Sequence, residues 1–172
     1  MSAGTGIPVV SVVGKGDSGK TTFLEKLIHE LTERGYRVAT VKHHVHDFDI
    51  DVPGKDSWRH AKAGAAVTMI SSPDKFGIVR KVDHEQTLEE LVAAAGDVDI
   101  VLTEGFKRAG SVRIEVSRRA RSEGIICEPH ELWALATDNP DAAPAGVQRF
   151  GLDDTAAVAD AIELAFLGKG GE

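Results

Sequence analysis

Gly14-Lys15-Gly16-Asp17-Ser18-Gly19-Lys20-Thr21 decides the fold of this chain. The stretch fits G-x-x-x-x-G-K-[ST], the pattern of a phosphate-binding loop. Its surroundings fit as well. Ile7 to Val13 is an apolar run suited to a buried strand, and Thr22 to Arg34 carries Phe23, Leu24, Leu27, Ile28 and Leu31 at helical spacing. Glycines let the backbone curl so that N–H groups face phosphate oxygens, and the following helix adds its positive dipole end. Gly14, Lys15, Gly16, Asp17, Ser18, Gly19, Lys20, Thr21 and Thr22 are therefore the candidate nucleotide-contacting residues. Lys20 is expected to reach the outer phosphates, as the catalytic cation, and the Thr21 hydroxyl to hold Mg²⁺.

Outward from the loop, strand and helix signals alternate. That pattern predicts an α/β, P-loop NTPase-like three-layer fold with a mostly parallel sheet and some added antiparallel strands. Gly35 should end the first helix. Arg37–Val41, Ala66–Ile70, Ile78–Val82, Val98–Thr103, Val112–Val116 and Leu132–Ala136 read as strands. Ser57–Ala63, Thr87–Ala95 and Asp153–Leu167 read as helices, with a turn around Pro73-Asp74. Asp56 is placed to N-cap the helix it precedes. No repeat, low-complexity segment or linker interrupts the chain. A single P-loop domain over residues 1–172 is expected, with residues 1–6 and 168–172 as flexible tails.

Composition narrows the function. A chain of 172 residues with 42% hydrophobic content is long enough for a substantial core. Its 20 basic and 27 acidic residues give a net charge of −7, which argues against a general nucleic-acid binder. The one cysteine, Cys127, permits no internal disulfide, which suits a reducing cytoplasm. Cys127 follows Ile125-Ile126 and is expected to be structural. No apolar run approaches membrane-spanning length and no signal peptide is visible, so a soluble cytoplasmic protein is expected.

A second element is Asp99-Ile100-Val101-Leu102-Thr103-Glu104-Gly105. An acid at the carboxyl end of a buried strand is where P-loop proteins place a metal-side carboxylate. Glu104 is thus a candidate to bind Mg²⁺ or orient an attacking water, and Gly105 to let the backbone approach the terminal phosphate. Asp99, at the other end, is expected to cap a turn. Thr137-Asp138 ends a late strand, roughly where guanine-specific P-loop proteins carry a base-reading carboxylate. The full [NT]-K-x-D pattern is missing, so Asp138 is either the guanine reader or a turn cap.

The most unusual segment is His43-His44-Val45-His46-Asp47-Phe48-Asp49-Ile50-Asp51. Imidazoles and carboxylates this dense suit Mg²⁺ beside the nucleotide, with Asp47 or Asp49 as a ligand. A transition-metal site and a solvated acidic loop are the other readings. The candidate metal set is Thr21, Asp49 and Glu104. Lys55, Arg59 and His60 follow, and Lys107, Arg108, Arg113 and Arg118 form a further basic strip. These cations would meet a second anionic ligand or an acidic partner, or, for Lys55, Arg59 and His60, pair with Asp47 to Asp51. Trp58 is suited to stacking on a flat ring or to a core position. Lys15 gives the loop the form G-K-G-x-x-G-K-T. This resembles the loop of dimerising P-loop proteins whose early lysine crosses to the partner's nucleotide, although Asp17 departs from that pattern. An exposed Lys15 is the alternative.

The chain is similar to the molybdopterin-guanine dinucleotide biosynthesis adaptor family, MobB. The similarity rests on Val13 to Thr22, on Val41-Lys42-His43 through His60, on Ala63-Gly64-Ala65, on Glu104-Gly105-Phe106-Lys107 and on Arg113-Ile114-Glu115-Val116. Its most specific part is Asp49 to His60. The resemblance implies a homodimeric protein that binds GTP and Mg²⁺ and is at most a weak GTPase. It also implies assistance to a guanylyltransferase, MobA, that joins GMP to molybdopterin, with molybdopterin itself a further candidate ligand. Two other classes share the loop. A small-molecule or nucleotide kinase would need an arginine-rich lid, for which Arg118-Arg119-Ala120-Arg121 is the candidate. A metallochaperone-type GTPase would use His43, His44 and His46.

Overall fold

A computed structural model describes residues 6–43, 48–106, 112–121, 124–139 and 141–168. The expected tails at residues 1–5 and 169–172, and His44, His46, Asp47, Lys107 and Arg108, lie outside the described residues. The chain divides into two compact units: residues 1–43 with 88–172, and residues 44–87.

The larger unit is a six-stranded sheet in the order β2-β5-β1-β6-β7-β8. Its strands are β1 (Val9–Val13), β2 (Val38–Lys42), β5 (Ile100–Glu104), β6 (Val112–Ser117), β7 (Ala134–Thr137) and β8 (Gln148–Phe150). Every pairing is parallel. The central strands β1 and β5 are buried almost throughout, as a parallel sheet covered on both faces requires. Helices α1 (Lys20–Glu33) and α4 (Thr155–Ile162) pack with Val10, Val12, Ile100, Leu102 and Ile114. Alternate residues of the same strands face the other way. There Val101 packs with Leu88 and Val92 of α3 (Leu88–Ala94), flanked by Val9, Ala39 and Val41. The three-layer α/β expectation therefore holds.

The first helix ends as its sequence asks. Gly35 takes φ 89°, its N–H donates to Thr32 at 2.9 Å, and Tyr36 N–H donates to Leu31 at 3.1 Å. This is the double carbonyl closure that a left-handed glycine permits. Asp99 ties the entry to β2, accepting Arg37 N–H at 2.6 Å. Strand β8 and a 3-10 turn at Pro129–Glu131 were not signalled by hydrophobic periodicity. Beyond α4 the chain continues as a π-helical turn, Glu163–Leu167. None of the described helices is long and apolar enough to cross a membrane.

The smaller unit holds α2 (Asp56–Lys62) and the antiparallel pair β3 (Val67–Ser71) and β4 (Phe76–Arg80). Its hairpin turn is closed by Ser72 N–H to Lys75 at 2.8 Å, at the expected Pro73-Asp74 position. Asp56 is not the N-cap. Lys55 occupies that position with no side-chain cap, and Asp56 is the first helical residue, where its charge meets the helix dipole. Arg59 lies 3.7 Å from Asp56 rather than pairing with Asp49 or Asp51.

Candidate functional site

The parallel register sets the site. Val12 of β1 stands beside Glu104 of β5, and Lys42 of β2 stands on Glu104's other side. Ser11 and Thr103 are fully buried, and Thr103 Oγ1 donates to Ser11 Oγ at 3.0 Å between these strands. The P-loop leaves β1 at Val13, so Glu104 and the loop emerge together at the carboxyl edge of the sheet. In an open α/β sheet that edge carries the ligand crevice.

The loop's backbone is built from positive φ values: Gly14 at 148°, Asp17 at 58° and Gly19 at 93°. Gly14 is irreplaceable on steric grounds. A Cβ there would lie 2.4 Å from the Val116 carbonyl oxygen and 2.8 Å from Ser18 Oγ. Gly16 differs, for nothing lies within 4 Å of its Cβ position. Gly19 caps α1 without a side-chain hydrogen bond, and the first turn of α1 has no acidic residue. The turn therefore presents backbone N–H groups and a positive dipole end with no carboxylate of its own to neutralise them.

Lys20 curls back over the loop, with Nζ donating to the carbonyls of Lys15 at 2.6 Å and Gly14 at 3.1 Å. Thr21 Oγ1 donates to Glu104 Oε1 at 3.0 Å. Lys42 Nζ stands 3.8 Å from Glu104 Oε2. Asp17, Gly19, Lys20, Thr21, Thr22 and Glu104 line one open cavity of about 410 Å³. Thr21 and Glu104, separated by 83 positions in sequence, are thus brought into contact. Two hard oxygen donors side by side, next to a lysine and a helix N-terminus, suit a magnesium-bound polyphosphate. Gly105 takes φ 92°, and a Cβ on it would lie 3.4 Å from the His43 carbonyl oxygen. Lys15 is exposed, and Ser18 is buried with no hydrogen-bond partner for its hydroxyl among the described residues.

Asp138 lies at the end of β7, two strands from the P-loop strand. Its exposed side chain accepts the Arg119 N–H at 2.7 Å. Asp49 belongs to the smaller unit, where it lines a cavity with Phe48, Asp51 and Trp58. His43 packs its ring on Phe106, with centroids 4.7 Å apart. Among the described residues no cluster of His, Cys, Asp and Glu is arranged to hold a metal ion. Trp58 is half-buried, with Lys62 Nζ 5.4 Å from its ring centroid.

Several other residues singled out in the sequence have partners within the chain. Arg113 is half-buried and ion-paired with Glu131 at 2.5 Å, which holds the Glu131 carboxyl below the usual carboxylate range. Arg118 to Arg121 form a turn closed by Arg121 N–H to Arg118 C=O at 2.8 Å. Cys127 is partly covered, and burial, aided by the Glu115 carboxylate, pushes its thiol up to about 12. Sequence reasoning gave no role to Lys42, which needs the strand register to be seen, nor to Glu115. Glu115 is fully buried and accepts Ile126 N–H at 2.8 Å and Cys127 N–H at 3.0 Å. Its signal is an acid between two apolar residues, Ile114 and Val116, of a strand.

Residues 9–138 match the family model described as MobB, molybdopterin guanine dinucleotide synthesis protein B. The molybdopterin-guanine dinucleotide biosynthesis adapter protein of Escherichia coli is 36% identical over 147 residues, covering 81% of this chain and 83% of that protein. The protein of the same description from Haemophilus influenzae is 34% identical over 136 residues, covering 78% and 76%. The solved structure of Bacillus subtilis MobB matches with a TM-score of 0.73 at 26% identity, covering 95% of this chain and all of the other. With residues 9–138 matched by the family model and relatives of this description covering most of its length, the chain belongs to the MobB family.

Proposed function

We propose that this chain is a GTP-binding adapter in molybdopterin guanine dinucleotide synthesis, acting with the guanylyltransferase that joins GMP to molybdopterin. The observation that carries the nucleotide reading is the contact of Thr21 with Glu104 beside Lys20 and an acid-free helix N-terminus. Lys20 would exchange its two loop carbonyls for phosphate oxygens. Thr21 and Glu104 would hold Mg²⁺, whose chemistry is to neutralise phosphate charge. Asp49 is carried as a third ligand on sequence grounds alone. Asp138 supports guanine reading by its place at the carboxyl end of β7, across β6 from the P-loop. The pathway and the adapter role follow from the descriptions of the relatives. A homodimer, weak hydrolysis of GTP and a direct contact with molybdopterin belong to the same reading.

Calorimetric titration with GTP and with ATP, each with Mg²⁺, tests it. GTP should bind in preference to ATP. Lys20→Ala should weaken GTP by about 10- to 100-fold, the worth of a charge-assisted contact of roughly 1.5–3 kcal/mol. Thr21→Ala and Glu104→Gln should weaken GTP in Mg²⁺ but change little in EDTA. A preference for ATP, or unchanged affinity in Lys20→Ala, would overturn the proposal.

A further inference from the structure

We propose that Arg118 is a nucleotide-contacting residue that grips the α-phosphate and ribose, the stretch between the phosphate loop and the base. The inference deepens the nucleotide reading above and rests on it.

The sheet order supplies the first step. Strand β6 lies between β1, which feeds the P-loop, and β7, which ends at Asp138. Neighbouring strands are about 4.8 Å apart, so β1 and β7 run roughly 10 Å apart with β6 between them. A nucleotide with its outer phosphates at Lys20 and its base at Asp138 must cross the end of β6. Ser117 is the last residue of β6, and Arg118 follows it.

The second step is where the side chain goes. Its guanidinium rests against the P-loop, with Nη2 3.2 Å from the position a Cβ would take on Gly19. Any side chain at Gly19 would crowd it. The backbone around Arg118 is held from several directions. Ser117 pairs with Thr137, Arg119 N–H donates to Asp138 at 2.7 Å, and Arg118 C=O accepts from Arg121 at 2.8 Å. Asp138 therefore ties the arginine's loop to the end of β7.

The third step is charge. The guanidinium lies against Gly19, the residue that caps α1, and the first turn of α1 carries no acid of its own. Asp153, whose carboxyl is lowered chiefly by Lys26 and to a lesser degree by Arg118, is already paired with Lys26 at 2.5 Å. A guanidinium beside the positive end of a helix dipole favours an anion at that place. Arginine suits this position better than lysine, because its fork can reach a phosphate oxygen and a sugar hydroxyl together.

The placement makes a discriminating prediction. GTP, GDP and GMP share the α-phosphate and ribose. Arg118→Ala should weaken all of them by a similar factor, about tenfold or more for loss of a charge-assisted contact. Lys20→Ala should weaken GTP and GDP far more than GMP. Arg118→Lys should fall between wild type and Arg118→Ala. Binding is read by calorimetry with Mg²⁺, using competition for GMP, and melting curves check the fold of each variant. Wild-type affinity of Arg118→Ala for GDP and GMP would overturn the inference while leaving a Lys20-dependent nucleotide site standing. A loss confined to GTP would also overturn it, since the side chain would then be meeting the γ-phosphate. If Arg118→Ala melts early, recovery of GMP binding in Arg118→Lys supports the inference, and no recovery overturns it. A wild-type protein that binds none of the three removes both readings.

Discussion

Gly14→Ala tests whether the cradle is fixed by close packing or by glycine's freedom alone. The added Cβ would sit 2.4 Å from the Val116 carbonyl oxygen, where ordinary contact begins near 3.4 Å. Either the loop or the end of β6 must retreat by about 1 Å, and overpacking of that kind costs about 1–3 kcal/mol. The φ of 148° suits glycine and adds about 1–3 kcal/mol for alanine. A total near 3 kcal/mol is a large part of the ~5–15 kcal/mol that holds a domain together. For a chain of this size it should lower the melting temperature by roughly 6–12 °C. Gly16→Ala is the control, since its Cβ position is open to 4 Å. Thermal melts of the ligand-free proteins by circular dichroism should show Gly14→Ala well below wild type and Gly16→Ala close to it. If Gly14→Ala melts within 2 °C of wild type, the close approach of the loop to Val116 is wrong.

Glu115→Ala should cost about 1–3 kcal/mol in urea unfolding, because it takes the charged acceptor from the partly covered Ile126 and Cys127 N–H groups. A loss under 1 kcal/mol would show that water or another acceptor replaces the carboxylate. Cys127 should resist alkylation in the native protein at pH 8 and react once urea exposes it, as burial holds the thiol neutral. The sign of its pH dependence follows. The folded thiol titrates near 12 and the free thiol near 9.0, so only the unfolded chain ionises between them. The stability tied to Cys127 is fully present below pH 9 and falls as pH rises toward 12. Cys127→Ser should flatten that part of the pH profile, and an unchanged profile would refute the assignment.

The phosphate loop, the strand before it and the helix after it were legible because glycine spacing and helical periodicity are local signals. Glu104 was legible for a related reason: it ends an apolar run, and only one edge of a parallel sheet receives such ends. What could not be read was the register that brings Lys42 to Glu104, since pairing partners lie far apart in sequence. Arg113 read as part of a basic strip, yet its partner Glu131 sits in a 3-10 turn that carries no periodicity. Asp56 was misplaced by one residue as a cap, a shift too small for composition to resolve. Strand β8, with exposed Gln148 and Arg149, lies at the sheet edge and so lacks the apolar run that betrays the central strands.

The buried hydroxyl pair, Ser11 with Thr103, has a bearing on how such a site can be moved between proteins. It locks β1 against β5 in one alignment, and a slip of one residue would carry Glu104 about 3.3 Å along the strand from Thr21 and turn it to the opposite face. The loop is therefore not a portable cassette. Residues 14–21 spliced onto another parallel sheet would bring the phosphate cradle without a carboxylate in reach. The smallest module that transplants the whole arrangement is the loop, 14–21, together with both strands, 9–13 and 100–104, with their hydroxyl lock intact.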